Sequence, residues 1–274
     1  NNGRCPFLND NNLCDLYIEL GEDKLCETCA EFPRFINEYG SVREIGIAPS
    51  CKTAGELILG YKDELTFDIK DSDEEVSSYN DIDPMTYMQL RQARTIAYNI
   101  VSDRDYTIAE RAVLLLKFAK DIQHYLDREE DYREHKLDKA RDSAAMRPDA
   151  YMYTKHLFDR FKGMEIINTD WNIYTQEINT FYETCKDAMT FRNIVNEFNK
   201  YYEDNQHEYE QMLMYYVYRY FLDAVYDYNV LLKMKGAAVG LLLQRGPLPQ
   251  GAGHPVQHRN ALASRRNVLP EGET

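Results

Sequence analysis

From Pro84 to about Lys235 the apolar positions of the chain recur at steps of three and four, the spacing that gathers side chains on one face of an α-helix. Met85, Met88, Leu90, Ala93, Ile96, Ala97 and Ile100 form one such stripe, opened by Pro84 in the first turn with Asp83 as its cap. A second stripe runs through Ala112, Leu115, Leu116, Phe118, Ala119, Ile122 and Leu126. It begins at Thr107-Ile-Ala-Glu110, where a hydroxyl and a carboxylate three residues apart can each satisfy the other's backbone N–H. The charge run Asp127 to Glu134 reads as a solvated continuation of that helix. Asp149 to Phe161 predicts a third helix and Trp171 to Met189 a fourth. The strongest pattern lies in Glu208 to Leu231, where Met212, Leu213, Tyr216, Val217, Tyr220, Phe221, Ala224, Val225 and Tyr228 build one broad apolar face. One unbroken core helix is expected there.

Outside that span the pattern changes. Residues 1–62 carry turn signals at Asn9 to Asn12, Gly21, Gly40 and Gly46, with prolines at 6, 33 and 49, and read as short strands, loops and one or two short helices. Residues 63–83 are rich in Asp, Glu and Ser, the composition of a solvated connector. Residues 236–274 contain no aromatic residue, yet hold six of the thirteen glycines and four of the nine prolines, which marks them off from the tyrosine-rich helical part. A flexible low-complexity tail and a shifted reading frame both account for this break, and the second is the preferred expectation. The predicted architecture is mainly α: a small cysteine-rich metal-binding region at the N-terminus, the connector, a helical domain over 84–235, and the atypical tail.

With 274 residues the chain is long enough to bury a sizeable core. Its 32 basic against 46 acidic residues give a formal charge of −14, which argues against a nucleic-acid surface, since phosphate neutralisation needs clustered Lys and Arg. No run approaches the roughly 18 apolar residues of a membrane span, and Asn1-Asn2-Gly3-Arg4 shows no apolar signal segment. A soluble, intracellular protein is expected, with no membrane partner. The chain opens directly at a cysteine motif and without Met, so a longer N-terminus is expected to precede it.

Five of the six cysteines fall within the first 51 residues. Cys26-x2-Cys29 has the spacing at which two thiolates converge on one metal. Cys5 and Cys14 flank Asn9-Asp10-Asn11-Asn12, so a hairpin-like loop can bring a second thiol pair together. Four such thiolates suit a tetrahedral zinc ion or a cubane iron–sulfur cluster, and spacing does not separate the two. Cys51 is a fifth candidate ligand. A disulfide framework is the alternative, disfavoured by the reducing compartment expected here. Cys185 sits among apolar residues on a helical pattern and reads as core.

Other motifs carry less. Gly55-x4-Gly60-Tyr61-Lys62 lacks the Ser or Thr after lysine that a phosphate loop needs, and Tyr61 intrudes before the lysine. Asp121-x2-His124 and Asp204-x2-His207 pair carboxylate with imidazole, but no neighbouring ligand set accompanies them and a solvated face explains both. No dinucleotide-type glycine fingerprint and no Ser, His and Asp constellation is evident. The tyrosine run Tyr201, Tyr202, Tyr209, Tyr215, Tyr216, Tyr218, Tyr220, Tyr226 and Tyr228 either packs helices together or lines a groove that attracts a cationic group.

Cys5-Pro-Phe-Leu, Leu13-Cys14, Glu19-Leu20-Gly21-Glu22, Leu25-Cys26, Thr28-Cys29, Phe32-Pro33-Arg34, Ser50-Cys51 and Leu57-Ile58-Leu59 together resemble the cysteine-rich region of the flagellin lysine N-methylase family. Glu210-x2-Leu213-x-Tyr215-Tyr216-Val217-x-Arg219-Tyr220-Phe221, continuing to Ala224-Val225-Tyr226-Asp227, resembles that family's late helix. The resemblance implies S-adenosylmethionine-dependent methylation of lysine ε-amines on flagellin in a bacterial cytoplasm. It also implies that Cys5, Cys14, Cys26, Cys29 and Cys51 supply the ligands of a 4Fe-4S cluster or, in related cysteine-rich domains, of zinc. The contrasting expectation is a non-enzymatic metal-binding helical module. The residues name no catalytic base and no S-adenosylmethionine site.

Overall fold

A computed structural model of the chain describes residues 4–11, 13–73, 82–128, 150–163, 170–185 and 187–244. The chain is mainly α-helical and divides into two units. The first comprises Asn1–Lys139 with Gln206–Ala238, the second Ala140–Asn205 with Val239–Thr274.

The first unit begins with short elements: α1 (Asp15–Leu20), a single 3₁₀ turn at Glu22–Lys24, and α2 (Glu27–Glu31). None of the three buries a residue. An antiparallel hairpin follows, β1 (Arg34–Tyr39) against β2 (Val42–Ile47), with Tyr39 opposite Val42. Its two-residue turn has Gly40 at φ 61°, the left-handed conformation that the first position of a type II′ turn requires. The alternation along β1 buries Phe35 and Tyr39 and exposes Arg34, Ile36 and Glu38. Phe35 lies across from Gly46, and a Cβ at that glycine would stand 2.3 Å from the Phe35 ring, so only glycine lets the ring lie flat on β2. Then comes α3 (Lys52–Gly60), which packs on α9 (Gln206–Tyr220).

The helical part of this unit is built from α4 (Pro84–Ser102), α5 (Ile108–Arg128), α9 (Gln206–Tyr220), α10 (Ala224–Asp227) and the start of α11 (Val230–Gln244). The Asp83 carboxylate accepts the Thr86 N–H at 2.8 Å, capping α4 at the position the sequence predicts. The capping box of α5 is formed in both directions: Thr107 N–H donates to Glu110 Oε2 at 2.8 Å and Glu110 N–H to Thr107 Oγ1 at 3.3 Å. α4 packs against α5 and α9, and Leu90, Ala97, Val101, Leu115, Phe118, Leu213, Val217 and Phe221 fill the space between them. Each large side chain withdrawn there contributes about 1.5–3 kcal/mol of transfer free energy.

The expected single helix over Glu208 to Leu231 is interrupted. α9 ends at Tyr220, α10 is one turn long, and Tyr228 takes a left-handed φ of 53° before α11 begins. Gln123 on α5 stabilises this bend: its Nε2 donates to Tyr228 O at 2.9 Å, and its Oε1 accepts the Leu231 N–H at 3.2 Å. α11 passes Lys235 and continues to Gln244, with Met234, Ala237 and Leu241 buried. The change in composition after Lys235 therefore does not end helical structure.

The second unit contains α6 (Ala150–Phe161), α7 (Asp170–Thr184) and α8 (Ala188–Tyr201). The helix expected to run from Trp171 to Met189 stops at Thr184, and Asp187 starts a new one by accepting the Thr190 N–H at 2.7 Å. Phe158, Ile178, Phe181, Tyr182, Cys185 and Phe191 form its core. Cys185 is buried there, where loss of hydration pushes its thiol pKa up, and Tyr151 OH donates to its carbonyl at 2.7 Å. No described helix is long and apolar enough to cross a membrane. The continuation of α5 beyond Arg128 through the charge run to Glu134, residues 74–81 of the connector, and residues 245–274 lie outside the described residues.

Candidate functional site

The loop from Cys5 to Cys14 closes on itself. Leu8 bridges Cys14, Asn9 N–H donates to Leu13 O at 2.9 Å, and Asp15 N–H donates to Phe7 O at 2.8 Å. The Asn9 side chain supports the turn by accepting the N–H groups of Asn11 and Leu13. Cys14, Cys26 and Cys51 are the N-caps of α1, α2 and α3, all with extended backbone and none with a side-chain capping bond.

Cys26 and Cys29 interact directly. The Cys26 sulfur takes the backbone N–H and the thiol of Cys29, which lowers the Cys26 pKa; the shared hydrogen bond and the neighbouring charge raise that of Cys29. Cys5 and Cys14 are near enough for their charges to act on Cys29 as well. Cys5, Cys26 and Cys29 are exposed and Cys14 is half-buried, while Cys51 stands half-buried at the start of α3. Among the described residues no group of three or more His, Cys, Asp or Glu is arranged to hold a metal ion. Thiols are the right donors for thiophilic metals, but the described residues do not bring three of them into one ligand group.

The remaining candidates from the sequence resolve simply. Gly55 and Gly60 both lie inside α3, a helix and not a phosphate-cradling loop. Asp121 and His124 are exposed on α5. The tyrosines of α9 and α10 divide: Tyr209 is buried, Tyr215, Tyr216, Tyr218 and Tyr220 are half-buried, and Tyr226 and Tyr228 are exposed.

Those half-buried tyrosines belong to a polar and aromatic seam that sequence reading did not assemble. It runs where the inward face of the hairpin meets α4, α9 and α10. Arg94 of α4 holds Glu44 of β2 through both guanidinium nitrogens, one at 2.7 Å, and donates to Tyr218 O at 3.3 Å. Its guanidinium lies 5.6 Å from the Tyr98 ring and 5.8 Å from that of Tyr218. Asn37 donates to Arg219 O at 3.0 Å, Tyr218 OH to Ile45 O at 2.9 Å, and Tyr226 OH to Glu38 O. The Arg219 guanidinium lies 4.0 Å from the Phe35 ring.

Two titratable clusters flank the seam. Tyr39, stacked on Tyr87 and Tyr226, donates to Asp223 Oδ1 at 2.9 Å. Burial raises the Asp223 pKa, against the opposing effect of the Tyr39 hydrogen bond and of Lys233 and Arg219. On the other side Glu210 receives Arg111 at 2.6 Å and Arg104 at 2.9 Å. Burial works against its ionisation, but the two guanidinium groups outweigh it and lower its pKa. Arg111 also donates to Val101 O and Tyr106 O, tying the connection between α4 and α5 to the same point.

The second unit has a cavity of about 130 Å³ lined by Lys155, Phe158, Asp159, Lys162, Asn179, Tyr182 and Glu183. That is below the roughly 300 Å³ at which ligand pockets for drug-sized molecules begin.

No sequence signal joins Glu44 to Arg94 or Tyr39 to Asp223, since the partners lie 50 and 184 residues apart. The family described as FliB lysine N-methylase C-terminal domain matches residues 94–246, more than half of the chain. The match begins at Arg94 and takes in every α-helical residue of the seam from there to α11. No curated protein and no solved structure matches the chain.

Proposed function

This chain belongs to the FliB lysine N-methylase family, and we propose on that footing that it methylates the ε-amines of lysines on flagellin, with S-adenosylmethionine as donor. The observation that carries this reading is the family match over residues 94–246. The setting that goes with it is a bacterial cytoplasm, where flagellin is available before export.

S-adenosylmethionine, when bound, supplies a methyl group on a sulfonium sulfur. What the chain must supply is a lysine nitrogen that is neutral, desolvated and held in line with that methyl. Asp223 is the group we assign to take the lysine's proton. It is half-buried, its pKa is pushed upward, and Tyr39 holds it in place at 2.9 Å. Tyr226, stacked on Tyr39 and half exposed, offers its ring to an approaching ammonium. The acidic surface, with a net charge of −14, attracts a lysine-bearing substrate from a distance.

Cys5, Cys14, Cys26 and Cys29 would hold a 4Fe-4S cluster or zinc, with Cys51 as a substitute ligand. Support comes from the placement of Cys14, Cys26 and Cys51 at three helix N-caps and from the hydrogen bonding between Cys26 and Cys29. Drawing the four sulfurs together would give the first thirty residues the cross-link that a region without buried side chains needs.

The test is mass spectrometry of flagellin from cells with and without the gene. Lysine peptides heavier by about 14 Da per methyl only when the gene is present are the expected result. Identical flagellin from both strains would remove the substrate assignment. Anaerobic purification tests the metal separately: absorbance near about 400 nm is expected of a cubane, whereas a colourless zinc protein that does not bind S-adenosylmethionine would favour a metal-binding module without catalysis.

A further inference from the structure

Residues 62–73 run without regular secondary structure along the first unit, before the acidic stretch that precedes α4. This strap is held at its start, where Lys62 O accepts from Arg104 at 3.2 Å and Asp63 O from Gln211 at 3.4 Å. Farther along, Phe67 lays its ring against Tyr98 and Tyr218, with centroids 5.0 Å and 5.3 Å away and tilts of 30° and 28°. Phe67 remains 44% exposed, so it rests on this platform without being locked into a core.

What lies below is not the floor of an ordinary apolar contact. The Tyr98 hydroxyl is buried and has no hydrogen-bond partner, and neither has the buried Nη1 of Arg219, one residue beyond Tyr218. Folded proteins pair nearly all such groups, so two idle donors in one aromatic seam call for an explanation. Arg94 and Glu44 are already committed to each other and answer neither donor.

We propose that the Tyr98 and Tyr218 platform is the seat of the adenine ring of S-adenosylmethionine, that Phe67 occupies this seat in the free protein, and that Tyr98 and Arg219 spend their idle N–H and O–H groups on the ligand. The inference rests on the methylase reading above. A purine stacks on tyrosine as a phenyl ring does, and adds ring nitrogens that accept a hydrogen bond from a phenol. The donor's amino-acid end adds a carboxylate, the natural acceptor for a guanidinium. The strap is then an internal competitor: the fraction of molecules with Phe67 lifted sets the apparent affinity, which rises when that competition is removed.

Calorimetry on the full chain, with S-adenosylhomocysteine and adenosine as separate probes, tests this. Phe67→Ala is expected to bind both about three- to tenfold more tightly, and Phe67→Trp to bind both more weakly. Tyr98→Phe should weaken both probes by about fivefold, the effect of one lost hydrogen bond. Arg219→Lys should weaken S-adenosylhomocysteine and leave adenosine unchanged, because only the former carries the carboxylate. Helical circular dichroism identifies any variant that has not folded, and the paired Ala and Trp changes at the half-exposed Phe67 give opposite signs that misfolding cannot produce.

The inference is overturned if neither probe binds the wild-type chain, or if both bind with affinities indifferent to Phe67 and Tyr98. Flagellin that is still methylated in that second case would leave the methylase reading intact with its donor site elsewhere. Conversely, binding that follows Phe67 and Tyr98 as described, in a protein that leaves flagellin lysines unmodified, would sustain the site and remove the substrate.

Discussion

The first thirty residues and the α4, α5 and α9 assembly belong to the same unit and are held by different physics. In the latter, side chains such as Leu90, Phe118 and Leu213 are almost wholly withdrawn from water. In the former, neither α1 nor α2 buries a residue, while Phe7, Leu13, Tyr17, Ile18 and Leu20 are all at least half exposed. Burial therefore accounts for the stability of one region and not of the other. Four of the six cysteines lie in this weakly packed region.

The sharpest way to break this comparison is inside the packed assembly. Glu210→Ala leaves Arg111, 7% exposed at its side chain, without its carboxylate, and should destabilise the chain by about 3–5 kcal/mol in chemical denaturation. The same carboxylate sets an acid limit. Its folded pKa is depressed, so its contribution is fully present above the ordinary carboxylate range and is lost as pH falls through the lowered folded value. Acid titration of wild type against Glu210→Gln should show a shallower loss in the variant; parallel curves would assign acid unfolding to other groups.

A smaller effect is expected at the hairpin. Gly46→Ala puts a methyl into the Phe35 ring and should cost about 1–3 kcal/mol, with a change in near-ultraviolet circular dichroism from displaced aromatic rings. An unchanged spectrum and melting curve would mean that Phe35 yields freely. Thr107→Ala removes one side of the α5 capping box and should cost about 1 kcal/mol by thermal melting.

The smallest effect on global stability is expected from Cys26→Ser combined with Cys29→Ser. The helical assembly should melt within about 0.5 kcal/mol of wild type, because neither cysteine is buried in it. On the metal ligation proposed above, metal should be lost from the variant and α1 and α2 become quickly cleaved by protease. Coincident collapse of both regions would show that they fold as one cooperative body.

Sequence patterns were informative where the physics is local. The caps at Asp83 and Thr107, the Gly40 turn and the loop around Asn9 each depend on residues within a few positions of one another. The breaks at Cys185 and Tyr228 were illegible, because neither has a Gly or Pro to announce it and the apolar rhythm continues across both. The seam was illegible for a different reason. Glu44, Arg94, Tyr39 and Asp223 are ordinary surface-type residues until tertiary contact makes them partners, and periodicity carries no information about that.

Gln123 shows where the missing information for one break resides. Its carboxamide presents one donor and one acceptor to Tyr228 O and Leu231 N–H, as a peptide unit of an adjacent strand would. The path the polypeptide takes on leaving α10 is thus specified by a residue more than a hundred positions earlier. A change to glutamate, nearly identical in shape but unable to donate, would remove half of that instruction, so the trajectory of α11 is a trait inherited from α5.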